Sequence, residues 1–293
     1  MKTVELRTFH KSLSELNNSF THYSFVWNQF SLVYEKILKE KPEILTKDFF
    51  DTNPYNRKHN IRFGELDIEH SKTHESLIKG IFLLIYTHFE GYLKDLLQFA
   101  RTVDPNIESL GSKIEDTEDD FKLIDKLLNR IEVSKNQLQS ELELTLDYIR
   151  LKRNRLIHSN ADNISRSLND LIKANGKKLN DYWKSRLPGE LQGIDFKSRD
   201  NANELSFSII IDVINIFRGV SNDIDQLVIA KLTLESIVDR LIIPKFKNEQ
   251  KKKINGIKTD RLVSKFKKYC QTEYSLEVNN DQIDILKSSI VQR

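Results

Sequence analysis

Cysteine occurs once, at Cys270, methionine once and proline five times, and glycine supplies only nine of 293 residues. A single cysteine excludes an intrachain disulfide and a paired-cysteine metal site, and it fits a reducing interior. Scarce glycine and proline argue against a turn-rich β fold, and the abundance of Leu, Ile, Lys, Glu, Asp and Asn favours long helices. No glycine-rich loop follows a strand pattern, which leaves a nucleotide hydrolase without its phosphate cradle. No Ser or Cys nucleophile stands beside an evident base. The most apolar run, SLIKGIFLLIYTHFEGYL, carries Lys79, His88 and Glu90 and is short for a bilayer span. The segment MKTVELRTFHKSLSELNNSF has no signal-type apolar core. The expectation is a soluble, cytoplasmic, all-α chain with no membrane partner, whose 39% hydrophobic content is enough to bury a core.

What is present is helical periodicity. Phe9, Leu13, Leu16, Phe20, Trp27, Phe30, Val33 and Ile37 recur mostly at three- and four-residue steps, predicting a first helix from Val4 to Glu40 that Pro42 ends. A surface loop, TNPYNRKHNIRFGELD, follows, and its Tyr55, Phe63, Arg57, Lys58 and Arg62 are of the types that hold an unstacked base. A central helix is expected over 72–103, with Ile78, Ile81, Phe82, Ile85, Phe89, Tyr92, Leu93 and Leu96 on its apolar face. Further helices are expected over 120–132, 135–158, 164–174 and 204–234. Beyond Pro244, KFKNEQKKKINGIKTDRLVSKFKK sets ten bases against two acids, a composition suited to a phosphate-contacting arm or to a solvated helical face. The chain is thus expected to divide into a long helix and loop (1–70), a helical bundle (71–243) and a basic helical appendage (244–293).

The stretch YIRLKRNRLIHSN, Tyr148 to Asn160, breaks the amphipathic pattern. At about 100° per residue, Leu138, Leu142, Leu146, Ile149, Leu156 and Ile157 share one arc of the helix, and Arg153 falls inside it. A charge within an apolar stripe is costly unless it is paired, lies at an interface or faces an anion. Asn154 and His158, four residues apart, share the adjoining face. A guanidinium to grip phosphate and an imidazole that titrates near neutrality are the parts needed to cut RNA without metal. The neutral ring takes the ribose 2′-OH proton, the guanidinium stabilises the phosphorane, and a protonated ring donates to the leaving 5′-oxygen. One chain supplies one such histidine, so acid and base come together most simply across a two-fold interface. Glu90, on the central helix, borders the packed face and calls for a cationic partner, with Arg153 or His158 the candidates. Arg150, Lys152 and Arg155 give the motif a basic rim suited to an RNA backbone.

Arg153-Asn154 followed by His158 at a helix end, with FEGYLK on a preceding apolar helix, resembles the HEPN superfamily, particularly stand-alone HEPN ribonuclease-like proteins of prokaryotic toxin and defence systems. The resemblance covers residues 70 to 235 or so. It implies an up-and-down helical bundle, here with an extra N-terminal helix, that dimerises with both motifs at the interface. The activity implied is metal-independent, cofactor-free endoribonucleolytic cleavage leaving a 2′,3′-cyclic phosphate, with RNA as substrate and an antitoxin or defence protein as a further partner. Carried across, Arg153 and His158 form the catalytic pair, Asn154 supports them and Glu90 is the acid of the preceding helix. The sequence departs from the family where a small residue, commonly Gly, follows the histidine: Ser159 and then Asn160 stand there. The other reading of the same residues is a HEPN-like RNA-binding or protein-interaction module without turnover. His70 and His74, four apart, are two metal ligands without a third, so no metal is expected.

Overall fold

The computed structural model describes residues 1–111, 122–134, 137–157, 164–187, 189–250 and 259–291. Among them there is no strand, only an isolated antiparallel bridge between Leu45 and Arg62, and no helix is long and apolar enough to cross a membrane. The chain is all-α.

Helix α1 spans Val4–Glu40, the span its periodicity predicts. It begins where the Thr3 hydroxyl accepts from the Leu6 N–H at 3.1 Å, satisfying one of the donors that a helix start leaves open. Its first half buries Leu6, Phe9, Leu13 and Phe20, and Phe9 stacks on Tyr92 at 5.2 Å. After Phe20 no residue of α1 is fully buried. There the helix leans on one side only, with Trp27 flat against His70 at 3.7 Å and Tyr34 edge-on to Phe49 and Phe50. Val33, expected to face inward, is 60% exposed.

A short helix α2 (Thr46–Phe49) and a 3-10 turn (Phe63–Glu65) form the lobe between the two long helices. Phe63, expected in a loop on the surface, is 1% exposed and packs against Phe49 and Phe50, so of the two loop aromatics only Tyr55 is open to solvent. The turn feeds directly into α3 (Leu66–Val103), which therefore starts six residues earlier than the periodicity implied. Every residue of the predicted α3 stripe is buried, and α3 packs against α1 and against the helices α4 (Leu123–Arg130), α5 (Ser140–Ile157) and α8 (Phe207–Leu232).

Helix α6 spans Arg166–Arg186, much longer than expected, and packs on α5. The expected helix stops at 174, yet Gly176 just beyond it lies inside α6 where another backbone crosses: a Cβ there would stand 2.5 Å from the Phe196 carbonyl oxygen. Glycine at this position permits close packing rather than ending the helix, and Leu179 and Trp183 continue the buried face beyond it. The crossing segment is held by Asp212 of α8, 2% exposed, whose carboxylate accepts from the N–H groups of Gln192, Gly193 and Ile194 at 3.1, 2.7 and 2.8 Å. Short helix α7 (Arg199–Asn203) leads into α8.

After α8, a single turn α9 (Leu234–Ile237) and a π-type turn (Val238–Ile242) lead into α10 (Ile243–Gln250), and α11 (Thr259–Tyr274) and α12 (Asn280–Val291) follow. This segment, expected as an appendage, contributes Phe246, Leu262, Phe266, Cys270 and Tyr274 to the same contiguous core as α1, α3 and α8. The Lys2 N–H donates to the Tyr274 carbonyl at 3.0 Å and Arg7 donates to the Thr272 carbonyl at 2.7 Å, tying the end of α11 to the start of α1. Burial raises the Cys270 thiol to about 12, which makes it a packing residue and not a nucleophile.

Candidate functional site

Helix α3 presents Tyr86 and Glu90 one turn apart, and α5 crosses it with Asp147, Arg150, Arg153 and Asn154. The Arg153 guanidinium lies 5.2 Å from the centre of the Tyr86 ring. At that distance the cation meets the negative face of the ring, an attraction that strengthens as water is excluded. Arg153 also donates to Asn154 Oδ1 at 3.3 Å, while its Nε is buried with no hydrogen-bond partner among the described residues. The Tyr86 ring is backed edge-on by Phe217 of α8 at 6.3 Å, so the surface that Arg153 rests on is part of the core. Burial, chiefly, and then the Glu90 carboxylate raise the Tyr86 hydroxyl above its usual range, with Arg150 and Arg153 opposing.

Asp147 organises the outer edge. It pairs with Lys122, which precedes α4, and accepts from Arg150 Nε at 3.4 Å. Arg150 is therefore half-buried and pinned beside Arg153 rather than free to sweep solvent. Glu90 is half-buried on the same patch. Among the described residues it makes no ion pair with Arg153, and both charges act on Tyr86. Of the two partners expected for Glu90, Arg153 is held by the Tyr86 ring instead, and His158 lies outside the described residues.

Lys152 is not part of the basic rim. It is 1% exposed, and its ammonium donates to the carbonyls of Asn201 and Glu204 at 2.6 and 2.7 Å. These carbonyls belong to the end of α7 and the residue just past it, and that of Asn201 also accepts from the Glu204 N–H at 3.3 Å. Burial pulls the Lys152 amine down to about 7, with Glu204 opposing and Arg155 assisting. Arg155 is half-buried on the neighbouring face of α5. His158 lies outside the described residues; it follows α5's last residue, Ile157, in the sequence.

The structure therefore brings Arg153, Asn154, Arg150 and Glu90 to one patch, removes Lys152 from it and adds Tyr86, Asp147 and Lys122. Tyr86 sits four residues before Glu90, on the same helical face, and that spacing was the signal available for it. A cavity of about 700 Å³ between α6 and α8 is lined by Trp183, Arg186, Asn215 and Arg218, among others, and by none of these residues. No group of three or more His, Cys, Asp or Glu able to hold a metal occurs among the described residues; His70 spends its ring on Trp27 and its Nδ1 on the Tyr23 hydroxyl at 3.0 Å.

Comparison with family models, with curated proteins and with solved structures returns no match.

Proposed function

We propose that the chain is a HEPN-type endoribonuclease of a toxin or antiviral defence system, cutting RNA without metal at a composite site in which two chains each contribute Arg153, Asn154 and His158. The observation that supports it most is the state of Arg153. A guanidinium is stacked on a core-backed tyrosine and linked to Asn154, its buried Nε having no acceptor among the described residues. A guanidinium held in place in this way presents a preset fork of donors whose geometry matches a phosphate.

In this reading the Arg153 guanidinium binds a non-bridging oxygen of the scissile phosphate and stabilises the charge that builds on phosphorus. One His158 takes the proton from the 2′-OH as that oxygen forms its bond to phosphorus. The His158 of a second chain gives a proton to the 5′-oxygen as the P–O5′ bond breaks, leaving a 2′,3′-cyclic phosphate and a 5′-hydroxyl. Tyr86 positions the guanidinium, and Glu90 and Arg150 set the field around it.

The test is incubation of the purified protein with total RNA and with tRNA in excess EDTA. Cleavage is expected, and His158→Ala is expected to lower it by about 10²- to 10⁴-fold, the worth of one general acid-base group. Cleavage that survives this substitution overturns the site. RNA binding without cleavage of any RNA replaces the nuclease with an RNA-binding HEPN-like module.

A further inference from the structure

The outer half of α1 carries a surface that the nuclease reading does not use. Phe25 is 65% exposed, Val26 50%, Leu32 70% and Val33 60%. Their positions are symmetric about Gln29: Val26 and Leu32 lie three residues to either side of it, and Phe25 and Val33 four. At about 100° per residue all five fall on one arc some 120° wide, with Gln29 at its middle. In a chain of which 30% is charged, the whole run from Leu16 to Tyr34 contains no Asp, Glu, Lys or Arg. Depletion of charge around exposed aromatic and aliphatic side chains marks the core of a protein interface. It also argues against a lipid surface, whose amphipathic helices carry Lys and Arg beside the apolar face.

We infer that this face docks a second copy of the same chain, with the two α1 helices antiparallel and Gln29 on the two-fold axis. A two-fold interface requires a surface complementary to itself, and a pattern symmetric about one residue is such a surface when the helices run in opposite directions. Phe25 then packs on Val33 of the other copy, and Val26 on Leu32. The charges that begin beyond Tyr34 meet no charge. Glu35, Lys36, Lys39 and Glu40 fall opposite Tyr23, His22, Ser19 and Asn18. The opposite face of the same half-helix is already occupied by His70, Phe49 and Phe50, so the exposed arc is the one left to pair.

The pairing involves neither Arg153 nor His158, so substitutions on α1 distinguish it from the pairing that the composite site needs. Sedimentation of the full chain over a concentration series is expected to show self-association that weakens when α1 is substituted. Val26→Lys alone and Leu32→Glu alone are each expected to raise the dimer dissociation constant by about tenfold or more, since each sets a desolvated charge against an apolar side chain. An equimolar mixture of the two variants is expected to recover dimer, because the two-fold places position 26 of one chain against position 32 of the other and opposes Lys to Glu. Gln29→Cys is expected to cross-link under mild oxidation, the buried Cys270 staying silent, and Lys39→Cys is not. A wild-type chain monomeric throughout the micromolar range overturns the inference. So does a dimer indifferent to both charged substitutions, or a mixture that fails to recover it.

Discussion

The Arg153 guanidinium rests on the face of Tyr86 at 5.2 Å, and this contact, not an ion pair with Glu90, is what fixes the motif's cation on the surface of the bundle. Tyr86 is therefore a positioning residue, and its ring matters more than its hydroxyl. Tyr86→Phe is expected to leave RNA affinity and cleavage close to wild type. Tyr86→Leu keeps the packing against Phe217 but removes the ring face, and is expected to weaken RNA binding by about 0.5–2 kcal/mol. Titration of a labelled single-stranded RNA at one fixed salt concentration reads the difference. Equal affinity of the Leu and Phe variants would remove the ring from the account.

Lys152 offers a test of buried charge. Lys152→Ala takes a donor from two carbonyls, leaving that of Asn201 only the Glu204 N–H at 3.3 Å, and opens a cavity; it is expected to destabilise the fold by about 3 kcal/mol, whereas Lys152→Met fills the volume and costs less. The pH dependence has a definite sign. The folded amine titrates at about 7 and the unfolded one near 10.4. Below pH 7 both states carry the proton and the full cost of burying the ammonium is present. Between those two values the unfolded chain holds the proton that the folded chain has released, and this cost declines as pH rises. Urea unfolding should accordingly show wild type gaining on Lys152→Met from pH 7 to 10.

Asp225 behaves oppositely. It is fully buried and accepts from the N–H and hydroxyl of Thr3, yet burial outweighs those donors and raises its carboxyl to about 6. The unfolded value is near 3.9. As pH falls from 6 towards 4 the folded state takes up a proton that the unfolded state does not, so this residue's contribution to stability rises on acidification. Asp225→Asn keeps an acceptor and is expected to lie within about 1 kcal/mol of wild type at pH 7. The stability difference between the two should shift in favour of wild type as the solution is acidified through 6; a difference independent of pH would refute the assignment.

Two glycines make a paired test of helix packing. Gly80, inside α3, has open space where a Cβ would go, and Gly80→Ala is expected to stabilise by roughly 0.5–1 kcal/mol through helix propensity alone. Gly176→Ala forces a methyl to within 2.5 Å of the Phe196 carbonyl oxygen and 2.9 Å of Lys197 Cα. It must part α6 from the segment crossing it, and is expected to lower the melting temperature clearly while Gly80→Ala raises it.

What could be read from the chain beforehand follows from how local each feature is. The limits of α1 and the inward stripe of α3 depend on periodicity and caps within the helix itself, and both were legible. So was the misfit of Arg153 within an apolar arc. The inward turn of Lys152 was not, because its two carbonyl acceptors lie at and beyond the end of α7 and nothing on α5 announces them. Val33 continued a periodic pattern whose partner surface stops short of it, and only the lobe at 41–65 decides which side of α1 is covered. The reach of α6 past 174 was not legible, because the backbone that crosses at Gly176 leaves no mark in the sequence of the helix it crosses. Tyr86 was visible only as a neighbour of Glu90; its role required knowing where α5 crosses α3.

The burial of Lys152 has a mechanical consequence for the residue beside it. A helix packed by aliphatic side chains can turn about its own axis by small amounts, because such contacts are tolerant and have no direction. An amine grasped by two carbonyls at 2.6 and 2.7 Å cannot follow that rotation without breaking directional bonds. Lys152 thereby sets the angular bearing of α5 like a key in a shaft. Arg153, about 100° further round, is delivered over Tyr86 by its neighbour's anchorage as much as by any attraction of its own.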